Sequence, residues 1–474
     1  MPAQVTSGSA STAVGRILLP LALAQFICSF AGSNMNVMIN DMSEDLDTTV
    51  QGVQLAITLF LLVMAALMIP GGKLADRYGR KRCFMVGLIL YAIGALLSAV
   101  APSLGVLIIG NSILEGVGTA LLIPPVYILA TMMFTGVTSR ARAFGAINAA
   151  AGIGAAAGPL IGGLITSAIS WRAAFVFQAL VIVAIVWLSR SIKDPLPADA
   201  SRPFDMRGAI LSAVGLVLLV TGILAADDNG WVMVALLVAG LLVLMWFFLS
   251  VRAKERAGEE PLLSSTLFRN STSNLGLITQ NAQWLVLMGV SFVVSAYLQV
   301  VRGYSAIQTG VIFTAATVGL LASSLAAARL AKRRPQRTLI LGGFVLTIAG
   351  IGVLLIMVGR STSAWAFAPG LLLIGLGVGA MLTPSVNVVQ SSFGEDMQGE
   401  ISGLSRSVSN LGSSLGAAIA GTILVAGITS TPERAYGLAM VVLAATSLFG
   451  LTAAAFLPRS PRTPRTLPEA HKPV

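Results

Sequence analysis

Glu115 is the acid on which chemistry in this chain would most readily turn. It lies about 11 residues into an apolar run, 104–133, that is long enough to cross a membrane. At 1.5 Å per residue that is ~16 Å deep, near the middle of a hydrocarbon layer. A charged, unpaired carboxylate there costs several kcal/mol, so the group faces a cavity or stays protonated. A carboxyl poised between those states can couple to proton movement or hold a cation. A permanently neutral acid that only hydrogen-bonds to its neighbours fits the sequence as well. Arg406 lies about eight residues into the run 399–428. It can snorkel to the near face or line a cavity and bind an anionic group. A third cluster is Gly72-Lys73-Leu74-Ala75-Asp76-Arg77-Tyr78-Gly79-Arg80-Lys81-Arg82, with five basic residues and one acid. Asp76 can accept from helix amides or a nearby arginine, and Arg80, Lys81 and Arg82 can meet lipid phosphates. Uncharged polar residues recur at helical spacing in the same kind of run. Ser29, Ser33, Asn36 and Asn40 make one such face; Asn111, Glu115 and Thr119 another; Ser402, Arg406, Ser409 and Ser413 a third. With Asn34, Gln280, Asn281, Trp284, Asn387 and Asn410 they are the candidates for a cavity wall. Taken singly, each is explained as well by helix–helix hydrogen bonding.

These residues need helices to position them. The 474 residues are 56% hydrophobic and 10% charged, with a mean hydropathy of +0.87, whereas soluble domains carry about 25% charged residues. Fourteen apolar segments run from residue 17 to 457, roughly 17–40, 50–72, 83–101, 104–133, 142–168, 173–189, 208–226, 231–251, 272–299, 306–330, 338–358, 364–391, 399–428 and 435–457. An even number puts both termini on one side. Of the 30 Lys and Arg, 25 then fall in the terminal segments and the loops on that side. Arg172, Arg302, Arg360 and Arg434 fall on the other, and Arg406 lies inside a segment. That asymmetry predicts cytoplasmic termini and explains the net charge of +11 without a nucleic-acid partner. Cys28 and Cys83 lie far apart in or beside apolar runs and the one histidine is His471. No metal site, cofactor or enzymatic cluster is expected, and no phosphate-binding loop of an ATP-driven pump occurs.

The chain also repeats. Ala328-Arg329-Leu330-Ala331-Lys332-Arg333 mirrors Gly72 to Arg77 at an offset of 256, and Gly412, Gly416 and Gly421 mirror Gly154, Gly158 and Gly163 at about 258. A duplicated six-helix unit follows, with one pair of helices inserted between the copies. The boundaries are 1–190, 191–270 for the inserted pair and its links, 271–457, and a tail at 458–474. Repeats of this kind place their site near the midplane, between the halves.

The loop residues Gly72, Leu74, Ala75, Asp76, Arg77, Gly79, Arg80 and Lys81 resemble the loop between helices 2 and 3 of the major facilitator superfamily. Gly154, Gly158, Pro159, Gly162 and Gly163 are similar to the helix 5 signature of its exporting branches. With fourteen helices, this points to the drug:proton antiporter branch. Trp171-Arg172, Tyr297-Leu298-Gln299, Gly303-Tyr304-Ser305, Gly310 and Gly375, Gly377 and Gly379 agree with that branch. The resemblance implies an all-α polytopic membrane protein with the major facilitator fold, two six-helix bundles plus two inserted central helices. It also implies that the Asp76 loop latches the halves during alternating access. Two positions depart from the branch: Ala31 stands where an aspartate is usual in helix 1, and Ser112-Ile-Leu-Glu115-Gly116 replaces Arg-x-x-Gln-Gly in helix 4. The usual proton-coupling pair is thus absent and Glu115 remains.

The expected function is secondary active export of lipophilic small molecules, cationic ones among them, from a monomer in the plasma membrane, driven by proton antiport. Its partners would be substrate, protons and membrane lipids. An uncoupled exporter of a lipid or metabolite is the alternative, and a transport-dead sensor a more remote one.

Overall fold

The computed structural model describes residues 7–134, 137–192, 194, 203–226, 229–330, 334–361, 363–394 and 397–459. Fourteen helices among them are long and apolar enough to cross a membrane. They are α1 (Ile17–Asp45), α2 (Val50–Tyr78), α3 (Arg80–Ala99), α4 (Leu104–Met133), α5 (Arg142–Ala168), α6 (Trp171–Leu188) and α7 (Met206–Leu224). The chain continues through α8 (Gly230–Arg256), α9 (Ser271–Val301), α10 (Ala306–Ala327), α11 (Gln336–Met357), α12 (Ala364–Gln390), α13 (Gln398–Gly427) and α14 (Pro432–Ala455). The second copy of the basic loop, at 331–333, and the tail from 460 lie outside the described residues.

Two bundles share one contact pattern. In the first, α1 packs on α5, α4 on α2 and α3, and α6 on α3. In the second, α9 packs on α13, α12 on α10 and α11, and α14 on α11. The bundles meet along two seams, α2 against α13 and α5 against α10. Each seam is thus the counterpart of the other under the duplication.

Small residues let the seams close. Gly154, Gly158 and Gly162 set α5 against Phe26, Ser33 and Asn34 of α1, while Gly163 turns the other way, onto the Ala306 carbonyl. Gly310 of α10 presses in return on the carbonyl of Pro159. Side-chain donors then use main-chain acceptors across the gap. Gln54 Nε2 donates to the carbonyls of Ala417 and Ala418 (3.0 and 3.2 Å), and Ser414 Oγ to that of Thr58 (3.0 Å). With no water in hydrocarbon, such donors must find protein partners.

The inserted pair covers one seam. Leu62 of α2, Val220 of α7 and Ala418 of α13 bury one another. α8 packs chiefly on α7, and only 11% of its apolar window is buried, against 78% for α9. A helix apolar all round and so little covered belongs against lipid. Asp205 fastens the start of the pair to its end. Its carboxylate accepts from the Gly208 amide (2.8 Å), the Lys254 ammonium (2.9 Å) and the Leu262 amide (3.1 Å). Burial works to raise this carboxyl's pKa, but the ammonium and the two amides outweigh it and hold the group below the usual range.

The basic stretch is not the open loop that its composition suggests. α2 runs through Gly72, Lys73, Asp76 and Arg77 to Tyr78, and α3 begins at Arg80. The break is Gly79 alone, at φ +95°, a conformation that side chains other than glycine resist.

Two outcomes test this packing. Gly163→Ala puts a methyl into a carbonyl and should lower the unfolding temperature in detergent. Gly342→Ala, at a site with nothing within 4 Å, should leave it unchanged or raise it. Because the Asp205 pKa is depressed, its contribution to stability is present above about pH 4, the ordinary carboxylate value, and fades as pH falls through its own lower value. Asp205→Asn should therefore cost ~1–2 kcal/mol at neutral pH, and the difference from wild type should shrink in acid-melting curves below about pH 4.

Candidate functional site

Between the bundles lies an open cleft. Gln25, Cys28, Ser29 and Gly32 of α1, Leu61, Met64 and Met68 of α2, Ile123 of α4 and Ala155 of α5 form one wall. Trp284 and Met288 of α9 and Arg406, Ser409, Asn410 and Ser413 of α13 form the other. A second, more apolar space shares Ala155 and Met288 and continues between Ser33, Pro159, Ser291 and Phe313. The cleft wall thus brings together Trp284, Arg406 and Asn410 from the sequence-derived candidates.

The other candidates sit elsewhere. Gln280 accepts from Ser405 (2.9 Å) and Asn281 donates to the Val408 carbonyl (3.0 Å), both joining α9 to α13. Asn36 donates to Ser291 (3.1 Å), and Gln299 donates back to the Asn36 carbonyl (2.8 Å). These bonds join the bundles at the end of the cleft remote from the basic stretch. Asn34 is buried beside Gly162, Asn111 is buried in α4, and half-buried Asn387 lies in neither lining.

Glu115 has 0% exposure and is not on the cleft wall. It closes a π-helical stretch, Ile108–Glu115, a geometry often found at functional sites. Gly94 makes room for it: a methyl there would meet the Glu115 amide and Cγ at 2.8 and 2.9 Å. The hydroxyls of Tyr91 and Ser98 stand beside the carboxyl. Each hydroxyl also has a nearer acceptor, Gln178 Oε1 for Tyr91 (2.5 Å) and the Gly94 carbonyl for Ser98 (2.9 Å). Among the described residues neither Glu115 oxygen receives a hydrogen bond. A fully buried carboxyl with no cation beside it among the described residues is held more easily as the neutral acid. Cys28 joins this pocket to the cleft: its thiol lies near Thr119 and Glu115 and also lines the central wall.

Arg406 crosses between the bundles at the basic end. Its Nη2 donates to the Tyr127 hydroxyl of α4 and to Asn148 Oδ1 of α5 (3.1 Å), and its guanidinium lies 4.7 Å from the Tyr127 ring centre. Ser407 adds a bond to the Ala65 carbonyl (2.5 Å). At the same end Asp76 pairs with Arg80 of its own bundle (2.7 Å), while Asp194 accepts from the Lys81 amide at the start of α3 (3.1 Å). Among the described residues an ion pair crosses the seam there through Lys73, which meets Glu400 of α13 (2.9 Å) and Glu260 of the link after α8 (3.0 Å). Lys73, Glu400, Glu260, Tyr127 and Asn148 are absent from the sequence-derived candidates. Tyr127 and Asn148 could have been found as polar residues in otherwise apolar runs. No local signal pairs Lys73 with an acid 327 residues away.

Known proteins resemble this chain in sequence and in fold. The family model described as Major Facilitator Superfamily matches residues 21–226 and 206–417. A puromycin resistance protein of Streptomyces alboniger is 31% identical over 413 residues, covering 86% of this chain and 81% of that protein. A cephamycin export protein of Amycolatopsis lactamdurans is 28% identical, covering 98% and 96%. A crystal structure of a peptide transporter in complex with sulfate superposes with a TM-score of 0.66 at 18% identity, over 93% of this chain and 95% of that one, a likeness of fold.

The Lys73 bridge makes a definite prediction. Lys73→Glu sets three acids together, so the bundles should separate at the basic face, and Glu400→Lys should bring them back. Spin labels at Arg82 and Gly403 report the distance. A distribution unchanged by Lys73→Glu would show that the pair holds nothing, as many exposed pairs do.

Proposed function

The chain belongs to the Major Facilitator Superfamily, and on that premise we propose that it exports lipophilic small molecules across the plasma membrane by alternating access, in exchange for protons. It is a multi-pass membrane transporter, not an enzyme. The observation that carries the proposal is the cleft walled by both bundles, with separate sets of half-to-half contacts at its two ends. Rocking about such a site breaks one set while the other holds. Relatives named for puromycin resistance and cephamycin export support outward movement of organic compounds. The 25 basic residues on the side of the termini support a cytoplasmic location for them. The working unit is taken as a monomer, since one chain supplies both walls.

Proton coupling is assigned to Glu115. In the arrangement described, its surroundings suit the neutral acid. Admitting water past Cys28 and Thr119 would let the carboxyl release a proton to the cleft. The Lys73 bridge holds the cytoplasmic end until that happens. A second reading, export without coupling, is favoured by Ala31 and Ser112. Ala31 is buried as plain packing, and Ser112 only donates to the Ala56 carbonyl (2.8 Å).

The two readings separate in liposomes with an imposed pH gradient. With a panel of naphthalene probes that are anionic, neutral or cationic, at least one should move with the gradient and stop when an ionophore dissipates it. Glu115→Gln should cut that movement about tenfold or more while the protein still folds. Movement that ignores the gradient and survives the substitution would establish the uncoupled exporter.

A further inference from the structure

Arg406 is the one charged side chain on the central wall among the described residues, and the adjoining apolar space has none. Its partners are neutral: a tyrosine hydroxyl and ring, and an amide oxygen. Among the described residues it makes no ion pair, and Glu115 is sealed off the wall. Both hydrogen bonds use Nη2. Among the described residues Nε and Nη1 make no hydrogen bond, and their N–H groups can each donate a charge-assisted bond to a carboxylate or sulfonate. A cation half-removed from water and facing no acid is costly until an anion reaches it.

The rest of the wall suits a lipophilic body. Trp284 offers a flat aromatic face, and Met64, Met68 and Met288 are unbranched and adapt to varied shapes. We propose that the cleft recognises amphipathic organic anions, an aromatic or lipophilic body bearing one carboxylate or sulfonate, with Arg406 as counter-ion and Trp284 as the stacking wall. This rests on the transport reading above and names its substrate class, replacing the expected lipophilic cation. A cation in this cleft would meet Arg406 with no carboxylate on the wall to offset it.

Equilibrium binding to the full chain in zwitterionic lipid nanodiscs tests it, apart from any flux. The probes are a naphthalene sulfonate, the matching neutral naphthalene amide and a naphthyl trimethylammonium. Wild type should bind the sulfonate at least tenfold more tightly than the ammonium. Arg406→Gln should weaken the sulfonate about tenfold or more and leave the neutral amide within about twofold, and Arg406→Lys should restore part of the loss. The inference is overturned if the ammonium binds as well as the sulfonate, if Arg406→Gln leaves sulfonate binding intact, if sulfonate and amide binding fall together, or if no probe binds. None of these results touches the transport reading, which stands or falls on the gradient experiment.

Discussion

Hydrocarbon offers no hydrogen bonds, so each polar group within a span must be satisfied by the protein or by water admitted into it. The seams are built around that demand. Gln54 and Ser414 reach main-chain carbonyls on the opposite helix, and the glycines of α5 and α10 let backbones approach closely. A bundle interface held this way keeps its donors paired only while the helices stay close. Opening it at one end exposes polar groups, which water entering the cleft then satisfies. Cohesion and alternation thus have one physical origin.

The inserted helices fit into this scheme without breaking it. α7 lies over the α2–α13 seam through Val220, between Leu62 and Ala418, and leaves the α5–α10 seam uncovered. Its links are tied down by charge, at Asp205 with Lys254 and at Glu260 with Lys73. Lys73 therefore belongs to three parts at once: the first bundle by sequence, the second through Glu400 and the insertion through Glu260. The duplication explains why the seams correspond, and the insertion explains why they are not alike.

Much of the architecture is legible in the residues. The count of fourteen spans follows from the lengths of apolar runs and the alternation of Lys and Arg, because crossing hydrocarbon demands ~20 apolar residues whatever the fold. The doubled Gly pattern of α5 and α13 signals the repeat before any contact is seen. The stretch around Gly79 shows the limit of such reading. Its charges suggest a solvated loop, yet helix α2 persists through them to Tyr78, since lysine and arginine are good helix formers and only Gly79 interrupts. Asn36, Gln280 and Asn281 read as cavity lining by spacing alone. They instead bond within or between helices, because a 3.6-residue period says which residues share a face and not what the face meets.

What the sequence determined by itself, then, was the number of spans, the repeat and the identity of the two charges within apolar runs, since these depend on length, composition and period along one chain. Tertiary structure alone decided that Arg406 stands on the cleft wall without an acid while Glu115 lies buried behind it, and that Lys73 finds Glu400. Those outcomes depend on which helix faces lie side by side. That is settled by packing between segments hundreds of residues apart, and no local pattern encodes it.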